Sequence, residues 1–199
     1  MGQHHAGTHC SLAHNRYQEL RTAIGAAEEP SVFRTPHPWA YWRPSSAEIL
    51  PPTAAIPPSL SIFRAPTFLF DIIPSLSLDI VAAYQRLFIA PAALAQCPRI
   101  RLLRLYFGRE DMPALTEEFQ PGLSTDLPLD SRRYDLLRSA VTTMPTALEV
   151  SSGMGQVLAR LHWAVGANAR DVELVLGSRV VGGVPVAQCY VLDFNQVSK

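Results

Sequence analysis

The stretch of sequence that decides the fold covers residues 146–196 and reads TALEVSSGMGQVLARLHWAVGANARDVELVLGSRVVGGVPVAQCYVLDFNQ. Thr146 and Glu149 have the spacing of a capping box, and Gly166 is a typical end for a helix that begins there. Between them, apolar side chains recur at helical spacing, which predicts one helix of about 17 residues, ~25 Å long. These apolar positions are Met154, Val157, Leu158, Leu161 and Val165.

Two β-rich runs, residues 172–176 and 186–192, follow this helix on either side of Gly182-Gly183. A glycine pair between two such runs is typical of an antiparallel hairpin, because glycine accepts the positive φ angles of a tight turn. We therefore expect a helix that leads directly into a hairpin.

The preceding region predicts a strand followed by a helix. Residues 67–73, TFLFDII, form an apolar run closed by Pro74, which is typical of a buried strand. Ser77 is positioned to cap a helix over residues 78–89. One face of that helix would carry Val81, Tyr84 and Phe88.

A further strand and helix are predicted between these two regions. Residues 99–107, RIRLLRLYF, indicate a strand with Ile100 and Leu102 between arginines that face solvent. Ser131 begins a predicted helix over residues 131–140.

The chain divides by composition into a tail and one domain. Residues 1–29 are a polar tail with a short helix at 16–27, and residues 30–199 form the domain. Within it, residues 30–66 are proline-rich, which predicts loop and isolated strand, and residues 67–199 hold the core. The expected class is α+β. The proline-rich part contains three aromatic residues that we expect to cap the core, Trp39, Tyr41 and Trp42.

Composition excludes several classes of protein. The chain has 199 residues, 48% of them hydrophobic and 17% charged, with 17 basic and 17 acidic side chains. Disordered chains combine low hydrophobicity with high net charge, and this chain has neither property. Zero net charge removes the general attraction to nucleic acid and to anionic membranes. No apolar run has the ~18 residues of a membrane span, and we expect an intracellular protein, cytoplasmic or nuclear.

Cysteine and lysine usage limits the chemistry. Cys10, Cys97 and Cys189 are too far apart for a CxxC zinc site or a disulfide framework. Zinc binding by His4, His5, His9, Cys10 and His14 would be the basis of a nucleic-acid-binding protein, although a polar tail accounts for the same residues. Lys199 is the only lysine, so no internal lysine can hold a nucleotide phosphate or form a Schiff base.

Two aspartates flank the predicted hairpin. Asp171 precedes its first strand and Asp193 follows its second, so antiparallel pairing should bring the two carboxylates together. Carboxylate oxygens are the ligands that Mg²⁺ prefers, which makes Asp171 and Asp193 the candidate metal ligands. The other candidate pocket residues are His162, Asn168, Glu173 and Asn195.

A purely structural interpretation competes with this magnesium site. Asp171 can cap a turn, and Asp193 can hydrogen-bond to loop backbone. In favour of the structural interpretation, nothing else in the chain completes an active site.

The order of helix, loop and hairpin resembles the catalytic segment of protein-kinase-like and aminoglycoside-phosphotransferase-like folds. In those families a helix ends in Leu-His, and a loop then carries a catalytic Asp and a metal-binding Asn before a hairpin that ends in an Asp-Phe-Gly-like motif. Leu161-His162 matches the helix end and Asp193-Phe194 matches the metal-binding Asp-Phe, while Asp171 stands at the place of the Asn.

Several features of those families are missing. Gly166 stands where the catalytic Asp belongs, Asn195 replaces the last Gly of the motif, and the phosphate-binding loop and lysine are absent. The resemblance therefore implies a truncated kinase-like fold, mostly the helical lobe with an antiparallel hairpin, that has lost phosphoryl transfer.

A more specific resemblance is to a domain of unknown function found in filamentous fungi, whose members often carry the name zinc finger protein. Its motifs are matched by MGQVLARLHW at 154–163, ARDVELVLG at 169–177 and LDFNQ at 192–196, with RLYFG at 104–108. The similarity covers about residues 30–196, and Asn168 stands where this family has Asp. No biochemical activity comes with this family.

Three functions follow as hypotheses. The first is a non-catalytic kinase-like module that binds a nucleotide or a partner protein, the latter covering faces exposed by truncation. The second is an active small-molecule phosphotransferase with Mg²⁺ on Asp171 and Asp193. The third is the zinc-dependent nucleic-acid-binding protein, which neutral charge and scattered cysteines disfavour.

Overall fold

The computed structural model describes Thr22 and residues 32–43, 48–50, 67–95, 99–108, 126–166, 168–169 and 172–192. These residues form an α+β structure, as expected. The strands are β1 (Phe33–Arg34), β2 (Pro38–Arg43), β3 (Glu48–Leu50), β4 (Thr67–Phe70), β5 (Leu102–Leu105), β6 (Asp126–Leu129), β7 (Glu173–Val181) and β8 (Val184–Leu192). The helices are α1 (Leu78–Phe88), α2 (Pro91–Leu94), α3 (Ser131–Ala140) and α4 (Ala147–Ala159), which continues into a π-helical turn (Arg160–Ala164).

The main sheet has five strands in the order β1-β8-β7-β5-β6. Strands β7 and β8 form the predicted antiparallel hairpin, paired from Glu173 opposite Leu192 at its base to Val181 opposite Val184 at its tip. Gly182 and Gly183 make the turn with φ angles of 57° and 83°, which residues other than glycine rarely adopt. The hairpin is thus confirmed, and the sheet around it is larger than the hairpin alone.

The described part of the proline-rich region, residues 32–43 and 48–50, contains three strands. Strand β2 is the middle strand of a second sheet, β3-β2-β4, so the expectation of an isolated strand is wrong. Strand β1 joins the main sheet by parallel pairing with β8, with Phe33 opposite Cys189. The β1–β8 and β2–β4 pairings join segments far apart in sequence, and such contacts leave no local sequence pattern.

The two faces of the main sheet differ in chemistry, because successive side chains of a strand point to opposite sides. One face is apolar, belongs to the main hydrophobic core and packs with the helices; its members include Phe33, Leu103, Leu105, Leu127, Leu129, Leu176, Cys189 and Val191. We call this the core face. The other face carries Arg34, Arg104, Glu173, Val175, Arg179, Gln188 and Tyr190, and we call it the polar face.

Helix α4 forms as the sequence predicts. The Thr146 hydroxyl accepts a hydrogen bond from the Glu149 N–H at 3.1 Å, and the Glu149 carboxylate accepts one from the Thr146 N–H at 2.6 Å. Helical structure extends through the π-helical turn to Ala164, and Gly166 follows with a φ of 64°. The helix packs on β1, where a Cβ on Gly153 would lie 2.9 Å from the Phe33 ring.

The segment of residues 71–77, which we call the connecting segment, links the two sheets. The Ser178 N–H donates to the Pro74 carbonyl at 3.1 Å, and the Leu76 N–H donates to the Arg101 carbonyl at 2.9 Å. The predicted buried strand over 67–73 is therefore partly wrong. Strand β4 ends at Phe70, and Ile72 is 79% exposed because the chain has already left the smaller sheet there.

The remaining predictions differ in detail. Helix α1 forms over the predicted residues, but Ser77 makes no side-chain capping bond, and Asp79 supplies negative charge to the first turn. Helix α3 begins at Ser131 with Asp130 as its cap, accepting from the Arg133 N–H at 2.8 Å. Among the described residues, no helix has the length and apolar character needed to cross a membrane.

Candidate functional site

The C-terminal end of α4 carries His162, one of the candidate pocket residues, and the neighbouring Trp163. The π-helical turn is closed by a hydrogen bond from the Val165 N–H to the Arg160 carbonyl at 3.0 Å. Leu161 is buried, whereas His162 and Trp163 are exposed and meet edge to face with ring centroids 5.4 Å apart. Single π-helical turns occur frequently at functional sites, so this turn adds a structural reason to consider the helix end.

A short loop connects this turn to the base of the hairpin. Val165, Ala169 and Val172 pack against the main core, and the Val172 N–H donates to the Ala169 carbonyl at 3.2 Å. Asn168 lies exposed in this loop. The loop is therefore held at both ends.

The base of the hairpin is the pair Glu173 and Leu192. Asp171 precedes Glu173 in sequence and Asp193 follows Leu192, but Asp171, Asp193 and Asn195 lie outside the described residues. The convergence of the two carboxylates thus stays a prediction.

Glu173 already has a partner. Its carboxylate forms an ion pair with the Arg104 guanidinium, and both side chains are 29% exposed. Arg104 also donates to the Tyr106 hydroxyl at 3.0 Å, and its guanidinium lies 5.9 Å from the centre of that ring. The expectation that Arg104 belongs to a solvated arginine face is therefore wrong.

The physical reason is the position of β5 inside the sheet. Arg104 lies opposite Val175 on β7, so its side chain reaches the carboxylate at the hairpin base. The buried side chains of this strand are Leu103 and Leu105, whereas Leu102 is half-buried. In the sequence, the alternation of Leu103 and Leu105 with Arg104 was the signal that places the two leucines on one face and the arginine on the other.

Of the described residues at the hairpin base, Glu173 carries a carboxylate, and its ion pair with Arg104 competes with metal binding. Binding by Glu173 would require it to leave Arg104, whereas Asp171, Asp193 and the Asn168 side chain supply hard oxygen atoms. Among the described residues, no group of three or more histidine, cysteine or carboxylate side chains is arranged to hold a metal ion. The N-terminal His4, His5, His9, Cys10 and His14, together with the predicted helix at 16–27 apart from Thr22, also lie outside the described residues.

Two buried ionisable groups serve the core. Burial raises the pKa of the Cys189 thiol to about 12, so the nucleophilic thiolate does not form at neutral pH. Burial also raises the pKa of Tyr134, whose hydroxyl donates to the Pro145 carbonyl at 2.8 Å. Both side chains are neutral structural members of the core.

Comparison of this chain with known protein families, with curated proteins and with solved structures finds no match. The functional proposal therefore rests on the residues of the site itself.

Proposed function

We propose that this protein is a non-catalytic kinase-like module that binds a Mg²⁺-chelated nucleotide at the base of the β7–β8 hairpin. The observation that carries the proposal is the pairing of Glu173 with Leu192, because Asp171 and Asp193 flank this pair in sequence. Two carboxylates held at one place repel each other unless a cation or a proton lies between them.

The surroundings of the hairpin base support a phosphate-bearing ligand. Arg104 lies beside the hairpin base, and its guanidinium could exchange the Glu173 carboxylate for a phosphate oxygen, with which guanidinium groups pair well. The exposed His162 and Trp163 at the end of α4 lead into the loop that enters the hairpin. An exposed indole offers a flat surface on which a nucleobase can stack.

Two features of the sequence support a non-catalytic protein. Lys199 is the only lysine, and Gly166 stands where the resemblance places a catalytic Asp. Mg²⁺ would neutralise phosphate charge, while the chain would supply the carboxylates and the orientation of the nucleotide. The order of α4, loop and hairpin supports a kinase-like helical lobe as the fold.

The test measures nucleotide binding by isothermal titration calorimetry, with ATP in the presence and absence of Mg²⁺. We expect saturable binding that depends on Mg²⁺ and that falls at least tenfold in Asp171→Asn and in Asp193→Asn. Asp135→Asn is the matched control, because Asp135 is an exposed carboxylate on α3. Binding that survives both hairpin substitutions would refute the proposed site.

The same samples separate binding from turnover. Incubation with ATP should release no phosphate and should label no hydroxyl or amino compound above a protein-free blank. Turnover lost in Asp193→Asn would instead establish the phosphotransferase hypothesis.

Binding of a partner protein is the second candidate, and exposed apolar side chains favour it. Leu78 is 84% exposed, and Leu148 and Trp163 are each 78% exposed. Exposed aromatic and large apolar side chains of this kind are frequent anchors of protein interfaces. Sedimentation velocity at rising concentration tests assembly with a second copy: association should weaken in Trp163→Ser, whereas a monomer at all concentrations would exclude self-assembly.

A further inference from the structure

A cleft of about 340 Å³ lies on the polar face of the main sheet, away from the hairpin base. Arg34 on β1, Arg179 on β7 and Tyr190 on β8 line it from the sheet. The connecting segment forms another wall through Asp71 and Ile72. The cleft therefore joins three strands and the connecting segment around one concavity.

Positive charge dominates this cleft. Arg34 lies opposite Tyr190 in the parallel β1–β8 pair, and both Arg34 and Arg179 favour the ionised form of the Tyr190 phenol. Burial outweighs them and raises the pKa of Tyr190, so the phenol is neutral. Its hydroxyl donates to the Ser178 carbonyl at 2.9 Å, which fixes the ring in place.

The carboxylate in the cleft is engaged elsewhere. Asp71 accepts a hydrogen bond from the His37 N–H at 3.1 Å, and its own N–H donates to the His37 carbonyl at 2.9 Å. These two bonds tie the connecting segment to the chain that follows β1. Asp71 therefore builds the wall of the cleft.

The two guanidinium groups have capacity for a ligand. Within the described part of the chain, neither Arg34 nor Arg179 forms an ion pair. The Nε of Arg179 is buried and has no hydrogen-bond partner there. The terminal guanidinium nitrogens of Arg179 are not buried in this way, and guanidinium groups form strong charge-assisted hydrogen bonds to oxyanions.

The rim of the cleft is apolar. Ile72 is 79% exposed and lines the cleft beside the arginines, next to Ile73. A ligand that combines an oxyanion with a short apolar group would match both parts.

We propose that this cleft binds a small organic oxyanion, a carboxylate or phosphate monoester, between Arg34 and Arg179, with its apolar group against Ile72. The site is separate from the hairpin base, and its ligand needs no metal ion. Arg34 and Arg179 are binding residues, and Tyr190 and Asp71 are positioning residues.

The test is an NMR titration of the full chain with phenyl phosphate, benzoate and inorganic phosphate as probes. A buried Arg Nε–H exchanges slowly with water, so the Arg179 side-chain signal reports directly on the cleft. We expect saturable shifts of this signal and of the backbone amides of Arg34 and Ile72, with an aromatic probe binding at least threefold more tightly than inorganic phosphate. The comparison of phenyl phosphate with benzoate distinguishes the two oxyanion classes.

Charge-removing variants complete the test. Arg34→Gln and Arg179→Gln should each weaken binding of the preferred probe at least fivefold. Arg132→Gln, which removes an exposed arginine from α3, should change it less than twofold. Because Arg34 is exposed, its variant keeps the test decisive even if Arg179→Gln unfolds. Absence of saturable shifts, or equal weakening in all three variants, would overturn the proposal.

Discussion

The core face and the polar face of the main sheet use the same strands for different purposes. Along β7, Leu176 on the core face is fully buried, whereas Arg179 on the polar face lines an open cleft. Along β8, Cys189 packs in the core and Tyr190 lines that cleft. The main hydrophobic core therefore lies on one side of the sheet. Among the described residues, the ion pair of Arg104 with Glu173 and the two guanidinium groups without an ion pair lie on the other side.

The largest effect that this comparison predicts is on the core face. Leu176→Ala should lower the free energy of unfolding by about 2–5 kcal/mol, because it removes buried methyl groups and leaves a cavity. Val180→Ala is the matched control, since Val180 shares the strand and the alternation but is 63% exposed, and it should cost less than ~0.5 kcal/mol. Urea unfolding measures both. Equal losses of unfolding free energy in the two variants would contradict the difference in burial between Leu176 and Val180.

The next effect lies where the connecting segment crosses the polar face. A Cβ on Gly177 would lie 2.6 Å from Ile73 Cγ2, so Gly177→Ala should destabilise the protein by about 1–3 kcal/mol. Adding Ile73→Ala should recover part of that loss in a double-mutant cycle.

Gly155→Ala provides a control of opposite sign. Nothing lies within 4 Å of a Cβ at that helical position, so alanine should stabilise α4 by up to ~1 kcal/mol. In the double-mutant cycle, additive effects of Gly177→Ala and Ile73→Ala on the free energy of unfolding would contradict the close approach of Ile73 to Gly177.

A smaller effect is expected at the start of α4, which packs on the core side. Thr146→Ala removes the side-chain acceptor of the capping box and should cost about 0.5–2 kcal/mol by thermal or urea unfolding. Hydrogen bonds from Thr146 lower the pKa of Glu149 below its ordinary value of 4.5. The stabilisation that the Glu149 carboxylate contributes to the folded state is therefore complete above pH 4.5, and it is lost as pH falls through the lower pKa of the folded state.

Glu149→Gln isolates the pH-dependent part of this contribution. Wild-type stability should fall more steeply than that of the variant as pH decreases below 4.5. Parallel pH profiles would show that the carboxylate adds nothing to the cap.

The smallest effect is expected on the polar face, at the ion pair. Glu173→Gln should change the free energy of unfolding by less than ~1 kcal/mol, because partly exposed ion pairs contribute little. The difference in unfolding free energy between the wild type and this variant should shrink further in 0.5 M salt, because dissolved ions then screen charges over roughly one side-chain length. A loss above ~2 kcal/mol would place this pair among the structural contacts of the core.

How far the sequence specifies the fold depends on how local each signal is. The capping box at Thr146 and Glu149 and the turn at Gly182-Gly183 act over a few residues, and α4 and the hairpin were predicted from them. The pairing of Phe33 with Cys189 brings together distant segments, and no local sequence pattern predicts it.

The candidate site was predictable only in part. The hairpin base was predicted, and the structure contains it. The partner of Glu173 was not, because Arg104 lies on a strand whose neighbours only the assembled sheet defines. For the same reason, the cleft between Arg34 and Arg179 was not predicted, since its residues come from three separate strands and the connecting segment.

The most direct measurement of the central claim uses Mn²⁺ in place of Mg²⁺, because bound Mn²⁺ broadens the NMR signals of nearby amides. With nucleotide present, substoichiometric Mn²⁺ should broaden the amides of Val172, Glu173 and Leu192 at the hairpin base and leave that of Val184 at the tip sharp. Asp193→Asn should abolish this selective broadening. Uniform broadening along the hairpin, or selective broadening that persists in the variant, would contradict a carboxylate-held metal at this position.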